Sequence, residues 1–600
     1  MAKGKHTVQL PVTKRKHVDK VSGLNIEASG ARRDKEKPLS IPRILRTLRV
    51  ALSALAIAAL ASPIAQQTIS PVWGAVTASV NHAQAITATV LLGYVWRAYY
   101  GTHTWSILPY LALLAFWTPA IQQYLFQYSS KLGPVAGPVL LGFASCHTIV
   151  IGCGYAAAQA IEVLDLQTQL GNVAGVALPA VLLDFGYFRP LEYVLARLGL
   201  PWIQSATDLL SPTRLQPLMA VALTVLSPER PWWLFSLGAP ALLHMLLANP
   251  HFDGPYNMAI ANRDLAPTNW TLLDRTWSNT GYISVLEDKN LNYRVLRCDH
   301  SLLGGEWQLT TDRRNSGWLV NEPIYAVFQM LEAVRLVEVE KKPADSAAQA
   351  LVVGLGIGTA PKSLMAHGIY TTTVELDPAV YGFAKQYFGM PSDVASGQVV
   401  LVDAISWVDA AVDSGDRKYD YILHDVFTGG AEPLSLFTHS FLSHLRALLT
   451  PDGVIAINYA GDLAMPLTAR ALNTIDQVFD GQCRAFRDAA PSSSTNPMSA
   501  DGFVNVVVFC RNSPGGVRFR QPSRKDFLGS KSRETYLLPK VEWEVQFPPR
   551  SDGNLTFNTS RQDVLKKGDE RLWSVQVEES AIKHWRVMRN VLPAKVWELW

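Results

Sequence analysis

The chain is predicted to be an N-terminal multi-pass α-helical membrane domain followed by an α/β domain with a mostly parallel, doubly wound sheet and a small β-meander ahead of it. Three observations predict this. Apolar spans follow one another between Val50 and Ala248, the middle ones without Lys, Arg, Asp or Glu. Strand-sized and helix-sized segments alternate from Gln349 to Cys510. Short alternating runs lie between these two regions. Six hundred residues exceed what one hydrophobic core organises, and only 17 % are charged, which suits a chain shared between membrane and water. The net charge of +4 averages over unlike parts and excludes little.

Residues 1–49 carry thirteen Lys and Arg against four Asp and Glu and read as a disordered basic tail. Aromatic groups that could stack on bases are absent, so no nucleic-acid partner is expected. The first apolar run starts too late for a cleavable signal peptide. The transmembrane domain is expected over 50–249. Its spans are about Val50–Ile64, Ala75–Trp96, Trp105–Phe126 and Pro134–Ala158, with weaker ones near Val173–Phe188, Leu215–Leu226 and Trp232–Ala248. Tyr99, Tyr100, Trp105, Trp202, Trp232 and Trp233 fall near span ends, as aromatic belts do. His82, His147, His244 and Asp184 are scattered over different spans and read as hydrogen-bonded helix residues, which predicts an anchor rather than a transporter.

Residues 250–280 read as a linker and 281–320 as a small β-strand subdomain with runs at Tyr282–Glu287, Tyr293–Arg297 and Gly305–Thr310. Residues 321–512 form the α/β domain, opening with a helix at about Glu322–Leu336. Its last two strands, without a helix between them, suggest an antiparallel hairpin at one edge. Residues 513–600 show no periodicity and receive no role. The five cysteines lack pair spacing, so neither a disulfide framework nor a metal site is expected, and a reducing compartment suits the soluble part. The sequons at Asn269, Asn554 and Asn558 read as chance matches.

The candidate site sits at the strand ends. Leu351–Val353 breaks into Gly354, Gly356 and Gly358, a helix-sized segment follows, and the next β-rich run ends in Glu375. Glycines serve where a strand turns tightly into a helix and a ligand must approach the backbone. Glu375 is placed to take the two hydroxyls of a ribose, and Asp403 to accept from an adenine amino group while the Ala404 amide donates to the ring. Asp425, at the end of Tyr419–Val426, lies where a second substrate would meet the cofactor, to orient or deprotonate an amine or hydroxyl. The loop Phe427–Pro433 could close over it.

In this order the motifs Gly354-x-Gly356-x-Gly358, Val374-Glu-Leu-Asp377, Val402-Asp-Ala404 and Tyr419-Asp-Tyr-Ile-Leu-His-Asp425 resemble the spermidine/spermine synthase family, which has the class I S-adenosylmethionine-dependent methyltransferase (Rossmann-like) fold. The segment Asp425–Thr438 looks like the membrane-fused members. The resemblance implies S-adenosylmethionine, or decarboxylated S-adenosylmethionine, as cofactor, with Tyr325 and Thr428 at substrate-binding positions. This chain departs from the pattern in carboxylates. Ile357 stands where aminopropyltransferases have an Asp for the amine end of their cofactor, Thr428 stands at the second acid of the catalytic strand end, and Tyr325-Ala326 replaces Tyr-Gln. A dicationic polyamine needs several carboxylates to replace lost hydration. A membrane-anchored methyltransferase acting on a small molecule is therefore the expectation. A polyamine aminopropyltransferase and a catalytically inactive membrane scaffold are the alternatives. The positive-inside rule puts the N-terminus in the cytosol. A catalytic domain in the cytosol, where the cofactor is made, then needs an even number of crossings, six if Leu215–Leu226 is interfacial. A lipid bilayer is an expected partner; the sequence leaves open whether the protein dimerises.

Overall fold

The computed structural model describes residues 41–201, 210–228, 231–427, 430–490, 502–547 and 563–600. The tail to residue 40, Trp202, Thr428 and the sequons at Asn554 and Asn558 lie outside the described residues. Thr47–Trp600 form one compact unit, and residues 41–46 before it are helical.

Two β-sheets build the C-terminal part of the chain. The smaller has five antiparallel strands in sequence order, β1 (Trp270–Ser278), β2 (Gly281–Asp288), β3 (Tyr293–Cys298), β4 (Ser301–Trp307) and β5 (Glu322–Pro323). The linker expected over 250–280 is instead a helix, Pro255–Leu265, running into β1. Trp270 and Leu272 of β1 bury against Ala261 and Leu265 of that helix, which gives the segment a core of its own. The helix expected from Glu322 begins at Ala326, because Glu322 and Pro323 pair with Trp307 and Glu306.

The larger sheet contains β6 (Gln349–Val353), β7 (Tyr370–Glu375), β8 (Gly397–Leu401), β9 (Tyr419–His424), β10 (Leu449–Asp462), β11 (Cys483–Arg487), β12 (Phe503–Arg511) and β13 (Glu544–Val545). Their spatial order is β13-β11-β12-β10-β9-β6-β7-β8. Neighbours from β10 to β8 are parallel and those from β10 to β13 antiparallel. Leu351, Val353, Ile422, Ile455 and Ile457 face one buried layer, while Ala350, Val352, Leu423 and Ala456 face the other. This two-residue alternation between two apolar faces is what a sheet covered by helices on both sides requires.

Two expectations are corrected here. Cys483 and Cys510 form a disulfide, since they stand opposite one another where β11 and β12 pair, with Cα atoms 4.2 Å apart. Their separation of 27 residues hides this adjacency in the sequence. The hairpin β11–β12 is also not the edge, because β13 from the C-terminal extension pairs outside β11. That extension contains a long helix, Ser574–Val591, and a short one, Ala594–Glu598.

The N-terminal half is a bundle of helices, chiefly Ile41–Trp73, Ala75–Tyr100, Leu108–Phe126, Ser129–Gly142 continued through a π-turn into Thr148–Ile161, Ala174–Leu183, Pro212–Leu226 and Trp232–Leu247. Among the described residues, two helices, Ile41–Trp73 and the run Ser129–Leu164, are long and apolar enough to cross a membrane. The six spans expected from sequence are not reproduced by length. Pro212–Leu226, for instance, buries Leu215, Met219, Ala220 and Leu223 in the bundle core. The first helix also starts at Ile41, inside the stretch read as tail. His82 and His147 hydrogen-bond each other at 3.1 Å, and Ser62 Oγ lies 2.9 Å from His82.

Candidate active site

The carboxyl ends of β6, β7, β9 and β10 meet at one point because the parallel register aligns them. Val353 pairs with Val374 and with His424, and Ile457 with His424. Gly354 follows β6 with φ 91°, and a Cβ there would stand 2.0 Å from the carbonyl oxygen of Asp425. Only glycine permits that approach in that backbone region. Gly356, with φ 53°, similarly brings the turn onto the Leu303 carbonyl of the small sheet. Gly358 lies outside the cavity described below and opens the helix Thr359–Ala366 in a left-handed conformation.

Glu375 is buried, and its carboxylate accepts the Leu355 N–H at 2.9 Å and the Asp377 N–H at 2.8 Å. Burial raises its pKa to about 6, with those N–H donors opposing the rise. Asp403 caps the helix Ala404–Ser414, its Oδ2 accepting the Ser406 N–H and hydroxyl at 2.9 Å. A carboxylate offers about four acceptor sites, so capping one oxygen leaves capacity for a ligand. Asp425 accepts a hydrogen bond from Asn458 Nδ2 at 2.9 Å. Desolvation pushes its pKa to about 6, with the Asn458 bond opposing. Ile357 turns away, packing on Gly304 of β4 in the core between the two sheets.

These ends form the floor of a cavity of about 390 Å³, whose lining includes Gly354, Gly356, Glu375, Asp403, Ala404 and Asp425, with Tyr325 on the wall. Thr428 lies outside the described residues. The structure adds groups that sequence reasoning missed. Asn458 follows Ile457, the last residue of β10 that pairs with β9, so the strand-end rule already pointed to it. Ser301, Phe427, Phe503, Asn505 and, from the C-terminal helix, His584, Val587, Met588 and Val591 complete the wall. Apart from Phe427, which opens the glycine-rich loop expected over the site, nothing short-range in the sequence announces these.

The donor set fits an adenosyl cofactor with a charged tail. The glycine turn leaves room at its backbone, Glu375 and Asp403 stand at adjacent strand ends, and Ser301 Oγ, Tyr325 OH and Asn458 Oδ1 are buried without a partner among the described residues. Buried polar atoms of this kind are costly unless something in the cavity engages them.

Residues 331–511 match the family profile described as "Spermine/spermidine synthase domain". Over 562 residues the chain is 38 % identical to the "N-terminal histidine N-methyltransferase" of Emericella nidulans, covering 92 % of this chain and 98 % of that protein. The chain belongs to the family of that methyltransferase. It is an S-adenosylmethionine-dependent methyltransferase, a transferase built on a spermidine-synthase-like α/β domain. A human "eEF1A lysine and N-terminal methyltransferase" is 29 % identical over 176 residues, 27 % of this chain and 23 % of that one. Among solved structures, a probable spermidine synthase from Corynebacterium glutamicum shares 15 % identity, with a TM-score of 0.33 over 44 % of this chain and 85 % of that one.

Proposed function

We propose that the protein transfers a methyl group to a nitrogen of an N-terminal histidine in a polypeptide acceptor. One observation carries this beyond the family assignment. Glu375, Asp403 and Asp425 are the only carboxylates lining the cavity among the described residues. If Glu375 and Asp403 hold the nucleoside, Asp425 alone remains for the acceptor. One carboxylate suits a single amine or imidazole, whereas a polyamine would leave an ammonium unpaired. The name of the Emericella nidulans relative supports the same acceptor.

In this reading Gly354 and Gly356 give the cofactor's tail access to backbone N–H groups, Glu375 takes the ribose, and Asp403 with the Ala404 amide meets the adenine. Tyr325 borders the acceptor. S-adenosylmethionine supplies an electrophilic methyl on a sulfonium sulfur. Asp425 accepts a proton from the acceptor nitrogen and frees its lone pair, and Asn458 fixes the carboxylate that does so. Proximity and orientation supply most of the acceleration. Incubating the purified protein with S-adenosylmethionine and a peptide beginning with histidine tests this: a single added methyl at residue 1 is expected, and its absence from every such peptide overturns the reading. The family profile favours a second reading, aminopropyl transfer, which production of spermidine from putrescine would establish.

The helical half is proposed as a membrane anchor, which the outward-facing Leu92, Trp96, Val181, Leu182, Val225, Phe235 and Leu247 support. The basic tail favours a cytosolic N-terminus. The Cys483–Cys510 disulfide argues against the cytosolic placement expected for the catalytic half and favours an oxidising compartment, which needs an odd number of crossings. Exposed Asn269 of the first sequon then serves as a reporter. Protease protection of the catalytic half in sealed vesicles, with endoglycosidase-sensitive mobility, is expected; digestion without permeabilisation would overturn this orientation.

A further inference from the structure

The helix Ser574–Val591 lies beyond the residues matched by the synthase-domain profile, and nothing in its sequence marks it as part of a site. It is docked along two faces. Trp585 donates to the Val72 carbonyl at 3.0 Å and Arg589 to Ser129 Oγ at 2.6 Å, which fastens one face to the helical bundle. His584, Val587, Met588 and Val591, at helical spacing, form the other face and line the cavity. The His584 ring packs at a tilt against Phe427, which follows the strand end of Asp425, at 4.8 Å between centroids and 53° between planes, and against Phe503 of β12 at 5.5 Å and 54°. It is 4 % exposed, and no described residue hydrogen-bonds it. Burial lowers its pKa to about 3, so the imidazole is neutral and offers one donor and one acceptor.

The imidazole lines the cavity, and no described residue hydrogen-bonds its nitrogens, so they can be offered to a group that enters. The arrangement makes sense if an incoming group uses those nitrogens.

We propose that His584, with Phe427 and Phe503, forms the subsite that holds the first side chain of the polypeptide acceptor, an aromatic ring carrying N–H. This rests on the proposed methylation of an N-terminal histidine and specifies how that histidine is chosen. The tilted aromatic rings favour a planar ring through edge and face contacts. The His584 nitrogen selects, among planar rings, one that can donate or accept a hydrogen bond, because a phenyl ring would leave it unpaired. Asn458 Oδ1, buried without a partner among the described residues, lines the same cavity beside Asp425 and is available for the acceptor's remaining polar group.

The test is peptide binding to the full-length protein saturated with S-adenosylhomocysteine, measured by calorimetry for peptides identical except for His, Phe or Ala at residue 1. Wild type is expected to bind the histidine peptide roughly tenfold more tightly than the phenylalanine peptide, and the latter above the alanine peptide. His584→Leu should abolish the histidine-over-phenylalanine preference while keeping phenylalanine over alanine. Phe503→Leu should weaken both ring-bearing peptides. Retained S-adenosylhomocysteine affinity reports that each variant is folded. A histidine preference that survives His584→Leu and Phe503→Leu overturns this subsite and leaves the proposed function standing. A wild type that neither prefers nor methylates histidine peptides overturns both.

Discussion

The floor and the roof of the cavity are held by different physics. The floor is made of parallel strand ends, each fixed by a ladder of backbone hydrogen bonds and by Gly354 pressed against the Asp425 carbonyl. The roof is one helix fixed by side chains. Trp585 and Arg589 reach into the bundle, while Arg297 donates to the carbonyls of Val596 at 2.7 Å, Trp597 at 3.2 Å, and Pro71. Backbone ladders tolerate most side-chain changes, but a side-chain strap depends on a few residues. The helical bundle therefore takes part in the site indirectly, since the helix that carries this wall is fastened to it.

If floor and roof divide the labour as cofactor side and acceptor side, substitutions should separate them. Asp425→Asn should lower kcat by about 10²- to 10⁴-fold, the usual worth of a positioned proton acceptor, with cofactor affinity unchanged by calorimetry. Because burial lifts Asp425 to about 6 and only its ionised form accepts a proton, kcat/KM for wild type should fall as pH drops through about 6. A profile flat to pH 5 would remove Asp425 from that role.

Next in size, Trp585→Ala empties a buried site and should cost about 3–5 kcal/mol, read by denaturant unfolding in detergent. Acceptor KM should rise while cofactor affinity holds; equal loss of both would mean that floor and roof are one unit. Glu375→Gln removes a charge-assisted acceptor and should weaken cofactor binding by about 1.5–3 kcal/mol, leaving acceptor KM alone. The same group gives a stability signature. Its folded pKa of about 6 exceeds the ordinary 4.5, so the folded chain holds the proton more tightly than the unfolded one. Glu375 should therefore contribute a loss of stability as pH rises from about 4.5 through about 6 in the cofactor-free protein, and the Gln variant should show a correspondingly shallower slope over that range, the remainder coming from groups such as Asp425. Smallest is Ser129→Ala, which removes the hydroxyl shared by Arg589 and Glu598 and should cost about 1 kcal/mol, seen as a small shift in unfolding midpoint.

The legibility of these two surfaces in the sequence follows from their construction. Gly354, Glu375, Asp403 and Asp425 could be read because each occupies the same place in a repeated strand-to-helix pattern. Asn458 obeys that rule just past the parallel β9–β10 pairing and escapes it in sequence only because it is not an acid. His584 could not be read in the same way. Its helix buries one stripe, Ser580, Ala581, His584, Trp585 and Met588, but that stripe mixes polar with apolar residues, and 159 residues separate His584 from Asp425. Cys483 and Cys510, and Trp270 in what read as a linker, became neighbours of their partners only through strand pairing.

By itself, then, the sequence determined the α/β sheet, the glycine turn and the acids at its strand ends, because local periodicity and turn chemistry are written in consecutive residues. Tertiary structure alone decided which residues close the cavity, where the C-terminal helix docks and which cysteines meet. Those outcomes depend on contacts between distant segments, whose free energies are settled by the shape of both partners at once.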